Sequence, residues 1–357
     1  MVVQKDGAAR INSGSALQTG EEMATLGNAT RRGLLAGVGA AGLLPAAGLL
    51  AAPAWAKLAA GLGQAPYFYR FKLGTAECTV VTDGQLPLGD PNVAFLNIPK
   101  DEIARELRDN FLPTGNAVLE QNVLVVNFGD RVVLFDTGMG GDALFGPTTG
   151  KLVPALRAAG IDPASIDAVV MSHAHIDHCG GLVGADGQPN FPNARLFVGQ
   201  ADYDYWTDDA KVPATYPARA NFVRQAQRNL VPLRERIIFY RDGQEILPGV
   251  TVLAAPGHTV SHSIFMINAG GGQLCYVGDL AHHPVLLLER PRTQFAYDTD
   301  PAQSAESRVR MLGMLAANRV ALLAYHFPWP GIGHVVTAGD GFRYLPTPVN
   351  LEGVSAL

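Results

Sequence analysis

Residues 171–181 read MSHAHIDHCGG, placing three histidines and an aspartate within six positions, His173 to His178. The apolar run before them, IDAVVM, has the β-branched content of a buried strand. On an extended segment His173 and His175 point to one side, and Asp177 and His178 follow as the chain turns at Gly180-Gly181. Neutral imidazole and carboxylate are the usual N/O ligands of zinc and similar divalent ions. Four such groups, arranged as two pairs, suggest two ions rather than one.

The rest of the chain supports a polar centre at strand ends. All nine histidines lie at or beyond position 173, at 173, 175, 178, 258, 262, 282, 283, 326 and 334. Five polar motifs each begin where a β-rich run ends: Asp136 after VVLF, His173 after AVVMS, His258 after VTVLAAPG, Asp279 after QLCYVG and His326 after VALLAY. If these strands converge on one edge, Asp177, His178, His258, Asp279 and His326 complete the ligand set, a common way for rigid strands to build a site. Strands are expected at 78–83, 122–128, 131–138, 166–173, 194–199, 250–257, 263–268, 273–279 and 319–326. Helices are expected at 101–109, 150–159, 216–230 and 301–317, the last with Asp300 as N-cap and Pro301 in its first turn. The mixture predicts an α/β domain of sheets covered by helices.

The four motifs, HAHIDH, PGHTVSHS (256–263), VGD (277–279) and AYH (324–326), resemble in content and order those of the metallo-β-lactamase-fold hydrolases, over roughly residues 75–340. The resemblance implies a four-layer αββα sandwich. It also implies one ion on His173, His175 and His258, a second on Asp177, His178 and His326, and Asp279 bridging both. Two divalent ions, zinc first among them, would share a hydroxide as nucleophile, with Asp177 and Asp279 as the catalytic carboxylates. Asp136 would orient a ligand histidine through its other nitrogen.

Departures narrow the group. Class B β-lactamases carry Cys or Ser where Asp279 stands, and flavo-diiron proteins carry Glu in place of His175. No basic glutathione-binding tail or nuclease module is evident. The long interval from His178 to His258 and the ending YHFPWPGIGHV (325–335) resemble the methyl parathion hydrolase group and its quorum-quenching lactonase relatives. The expected activity is therefore ester or lactone hydrolysis, with phosphotriester hydrolysis as the alternative. β-Lactam hydrolysis or a non-catalytic metal-binding role stands behind both. Phe327, Trp329 and the insert DYDYWTDD (202–209) are candidates for an apolar pocket wall, His262 and His334 for supporting or loop positions, and His282 and His283 for the pocket mouth or the surface.

Residues 1–56 are set apart. Arg31-Arg32 precede about twenty apolar, mostly small residues ending in Ala54-Trp55-Ala56, which resembles a twin-arginine export signal with an A-x-A cleavage site. Pro45 and the Gly/Ala content make the run a poor permanent membrane anchor. Met23 is a candidate start. Residues 57–357 would form one domain, periplasmic or secreted. A net charge of −5 gives no basic face for nucleic acid. The expected partner is a small substrate, and a homodimer is compatible. Cys78, Cys179 and Cys275 allow one disulfide at most.

Overall fold

The computed structural model describes residues 67–349 and the short strand Ser355–Ala356. The export-signal reading and Met23 lie outside the described residues. Two sheets form the body. The first has eight strands, in the order Ser355–Ala356, Phe68–Leu73, Ala76–Gly89, Ala117–Asn127, Val132–Phe135, Ala168–Val170, Arg195–Gly199 and Ile237–Tyr240. The second has seven, in the order Gly341–Pro346, Ile332–Ala338, Ala321–Leu323, Gly272–Tyr276, Ser263–Ala269, Val250–Ala254 and Glu245–Leu247.

Side-chain alternation explains why the sheets stack. In Ser263–Ala269, Phe265 and Ile267 enter the cluster shared with the first sheet, whereas Ile264 and Met266 join a second cluster beneath the helix Pro301–Asn318. Leu274 and Tyr276 likewise face the first sheet, and Cys275 and Val277 face away. This period of two is the signature of a strand buried on both faces. Phe135 of the first sheet meets Phe265 and Tyr276 of the second at ring separations of 5.7 and 5.3 Å. Leu152–Ala158 and Arg219–Leu230 add Leu156, Phe222, Ala226 and Leu230 to the shared cluster. With helices on both sides, the layers are helix, sheet, sheet and helix, as expected.

The long helix is bounded as its sequence predicts. The Asp300 carboxylate accepts from the Gln303 N–H at 3.0 Å, and Pro301 opens the first turn. Arg219–Leu230 starts three residues later than expected, because Pro217 and the left-handed Ala218 (φ 50°) precede it. All three cysteines are buried and unpaired. Among the described residues no helix is long and apolar enough to cross a membrane.

Two features position the site. Val132–Phe135, Ala168–Val170 and Arg195–Gly199 run parallel, as do Gly272–Tyr276 and Ala321–Leu323, and the chain leaves their C-terminal ends toward one rim. In addition, the pairing of Ala76–Gly89 with Ala117–Asn127 slips between Thr82 and Gln85 and again between Pro87 and Gly89. Such irregularities bend a strand and re-aim its side chains. Here they place the pair Leu86 and Leu119 over the rim as part of a pocket wall.

Candidate metal centre and pocket

The ligand candidates arrive from both sheets. His173 follows the strand Ala168–Val170, and His175 opens the helical turn Ile176–Cys179 that carries Asp177 and His178. From the second sheet come His258, Asp279 and His326, after Val250–Ala254, Gly272–Tyr276 and Ala321–Leu323. Gly278 makes the close approach possible. It has φ 47°, and a Cβ there would sit 2.9 Å from both His262 Nε2 and Ser172 Cβ.

Two groups result, each with its donor atoms within 4.8 Å of one another: His173, His175, His258 and Asp279, and Asp177, His178, Asp279 and His326. Which ring nitrogens face the centre follows from what the other nitrogens do. Nδ1 of His178 bonds Asp136 Oδ2 at 2.8 Å, Nδ1 of His258 bonds Asp298 Oδ1 at 2.8 Å, and Nδ1 of His326 donates to the Glu120 carbonyl at 2.8 Å. His173 Nδ1 lies 3.0 Å from Ser172 Oγ. Nε2 of each is thereby left for the centre. His175 reverses the pattern: its Nε2 meets Tyr216 OH at 3.0 Å, leaving Nδ1. One nitrogen held and one free is how proteins fix the tautomer of a metal-ligating histidine.

The free atoms converge. His173 Nε2 and His258 Nε2 are 3.2 Å apart, and the latter is 3.2 Å from Asp279 Oδ2. His178 Nε2 is 3.1 Å from Asp279 Oδ1, and His326 Nε2 is 3.3 Å from Oδ2 of both Asp177 and Asp279. Despite that 3.1 Å approach, His178 Nε2 and Asp279 Oδ1 are buried and make no hydrogen bond. Unpaired buried polar atoms are rare and costly. Facing imidazole nitrogens around a shared carboxylate fit two divalent cations, with Asp279 belonging to both positions.

Electrostatics bear on how these groups are protonated. Burial opposes ionisation of Asp279, but the surrounding imidazoles, His178 and His326 foremost, hold its carboxyl well below the usual range. Burial would push His178 and His326 down. Instead Asp279, Asp177 and (for His178) Asp136 raise His178 well above its ordinary value, and Asp279 and Asp177 raise His326 to about 9. These carboxylates favour the protonated form of both rings, whereas a ligand nitrogen must be deprotonated. Zinc uptake at pH 7 is expected to release protons, and affinity should fall as pH is lowered. Calorimetric titration in buffers of different ionisation enthalpy measures the release; a buffer-independent heat would contradict the assignment.

The supporting residues are as ordered as the ligands. Asp136, at φ 60°, accepts from Ser172 N–H, Ser172 O–H and Tyr276 O–H at 2.6–2.8 Å besides bonding His178. His262 accepts the Asp279 N–H at 3.0 Å through Nε2 and bonds the Ala255 carbonyl through Nδ1, with burial pushing it down to about 3. It is thus a neutral strut that aims the shared carboxylate. The buried Arg308 guanidinium bonds the Leu280, Pro291 and Thr293 carbonyls and lies 3.8 Å from Asp298.

Above the ligands lies a pocket floored by His175, Asp177, His258, Asp279 and His326 and walled by Leu86, Leu88, Leu119, Phe145, Phe222, Phe295 and Tyr297. His282 also lines it, stacked on Phe295 at 4.0 Å with Nε2 3.1 Å from Asp279 Oδ2. His283 instead caps the following turn, accepting from Val285 and Leu286 N–H.

Two expected wall residues are elsewhere. Phe327 is buried against Tyr344 under the second sheet, at 5.0 Å, with its carbonyl held by Asn122 Nδ2. The strand ends at Leu323 and the chain turns over residues 325–330, so that His326 stays at the rim while Phe327 enters the opposite layer. Trp329 packs on Tyr67 at 5.5 Å, outside the pocket. His334 lies mid-strand opposite Leu345 and is not part of the lining. The insert at 202–209 forms much of the helix Gln200–Trp206, and its Trp206, not Tyr203 or Tyr205, packs edge-on against His175 at 4.7 Å. Asp298 and Tyr216 were not singled out in the sequence, and Asp202 entered only as the first residue of the 202–209 insert. An aspartate or tyrosine tens of residues from its histidine leaves no local spacing to read.

Facing sheets, flanking helices and paired His/Asp groups at one rim define an αββα metalloprotein. A profile of the metallo-β-lactamase superfamily matches residues 117–324, and the chain belongs to that superfamily. The N-acyl homoserine lactonase AttM of Azorhizobium caulinodans is 32% identical over 119 residues, 32% of this chain and 41% of that protein. The match thus spans about two fifths of the lactonase. Among solved structures, AidC, a dizinc quorum-quenching lactonase in complex with a product, is 30% identical with a TM-score of 0.73, covering 79% of this chain and 98% of that one. The hydrolase AbOPH of the β-lactamase superfamily is 28% identical with a TM-score of 0.74, covering 81% and 100%.

Proposed function

We propose that the protein is a metal-dependent hydrolase of lactones and activated esters, working with two zinc ions. The observation that carries this reading is the juxtaposition of two cation positions sharing Asp279 with an apolar wall directly above them. Divalent ions held there supply Lewis acidity and lower the pKa of water to about 7. Leu119, Phe222, Phe295 and Tyr297 would hold an acyl or aryl group and exclude water around it. Nε2 of His282, beside Asp279 Oδ2, stands where a hydrogen bond can be exchanged with a reacting oxygen. The similarity to AidC over nearly that protein's whole length supports the lactone reading.

The test compares kcat/KM of the zinc-loaded protein for an acyl homoserine lactone, dihydrocoumarin, an aryl phosphotriester and a cephalosporin. The lactones are expected to lead. If the phosphotriester or the cephalosporin leads by tenfold, about 1.4 kcal/mol in transition-state preference, the reading is overturned.

A further inference from the structure

Asp202 does not reach the metal centre or the pocket, yet it is fully buried and surrounded by donors. Its Oδ2 accepts from the Ala174 N–H at 2.9 Å and the Thr259 hydroxyl at 2.7 Å. Its Oδ1 accepts from the Ser261 N–H at 2.7 Å and the Ser261 hydroxyl at 3.0 Å. Its own N–H donates to Ser261 Oγ at 2.9 Å.

The identity of these donors matters more than their number. Ala174 stands between His173 and His175, and Thr259 directly follows His258. One carboxylate oxygen therefore ties the backbone joining two ligands of the first sheet to the residue beside a ligand of the second. All the donors to Asp202 come from the segments carrying His173, His175 and His258. The approach is tight: a Cβ on Gly199, where the chain enters the helix bearing Asp202, would lie 2.6 Å from Ser261 Oγ. A buried carboxylate is kept only where hydrogen bonds repay its lost hydration, and here the repayment comes wholly from the ligand-bearing loops.

We propose that Asp202 is the positioning residue of the His173–His175–His258 cation position, fixing ligands from two sheets in one frame, and that it does not set the Asp177–His178–His326 position. The proposal rests on the reading that both groups hold cations. Outer hydrogen bonds of this kind typically change metal affinity by about 10–100-fold.

The experiment measures stepwise zinc and cobalt affinities of the full chain by chelator competition, with cobalt absorption bands reporting each position. Asp202→Asn is expected to weaken one position by about 10–100-fold and to leave the other within about twofold. Because Asp202→Asn can compromise folding, Thr259→Val and Thr259→Ser form a second pair. Valine removes one donor to the intact carboxylate and should weaken the same position, whereas serine, which keeps the hydroxyl, should restore it. Equal weakening of both positions, or of neither, overturns the proposal. A wild-type chain that takes up no cation would instead overturn the reading of the centre itself.

Discussion

Asp279→Ala is expected to lower kcat/KM for the preferred lactone on the order of a thousandfold, about 4 kcal/mol of transition-state stabilisation. Bound zinc should fall to one ion or fewer per chain. Asp279 Oδ2 lies 3.1–3.7 Å from Nε2 of His282, His258, His326 and His173, and Oδ1 lies 3.1 Å from Nε2 of His178. Removing the carboxylate leaves five buried imidazoles with no anion in common, so repulsion between two cations is no longer offset. His334→Ala, outside the lining, is the control and should stay within about twofold. Elemental analysis beside steady-state kinetics decides the matter. Wild-type zinc content in the alanine variant would show that Asp279 is not shared.

Asp136→Ala is expected to cost about 3–5 kcal/mol of stability, a large share of the 5–15 kcal/mol typical of a domain. It strands the Ser172 N–H, the Ser172 and Tyr276 hydroxyls and His178 Nδ1. Each buried donor left unmet costs about 1–3 kcal/mol, and local rearrangement recovers part of the sum. Alanine at φ 60° adds backbone strain, which aspartate tolerates better. Denaturant unfolding of the zinc-stripped variant measures the cost apart from any loss of metal. A loss under about 1 kcal/mol would mean that these groups find other partners.

The His and Asp residues that gather at the rim were legible because they come in short motifs whose spacing is itself chemical. HAHIDH needs only an extended segment followed by a turn, and His258, Asp279 and His326 each follow an apolar run that does form a strand. Asp300 and Pro301 marked a helix start for equally local reasons. The pocket wall was not legible. Leu86, Leu119, Phe222 and Phe295 come from four distant segments, and their convergence depends on slipped pairing and helix docking. Phe327 and Trp329 looked like a wall because they lie close to His326 in sequence, although the chain turns there and carries both side chains away from the pocket. The strands Phe68–Leu73, Ile237–Tyr240, Glu245–Leu247, Ile332–Ala338 and Gly341–Pro346 also escaped reading. Phe68–Leu73 is short and carries Arg70 and Lys72 among its apolar residues, and Gly333 and His334 interrupt Ile332–Ala338; their pairing is decided by neighbours in the sheet rather than by composition.

The division of ligands between the sheets has a mechanical consequence. His173, His175, Asp177 and His178 are anchored to one sheet, and His258, Asp279 and His326 to the other, so cations bound there would act as a clasp across the seam. Neither half alone presents a complete set, and an unfolded chain has no assembled site. By mass action, a free cation at one hundred times its dissociation constant adds about 2.7 kcal/mol to the unfolding free energy. Cells starved of the ion would then lose more than turnover: the seam between the sheets would become the place where the molecule first opens, and abundance as well as activity would follow the supply of metal.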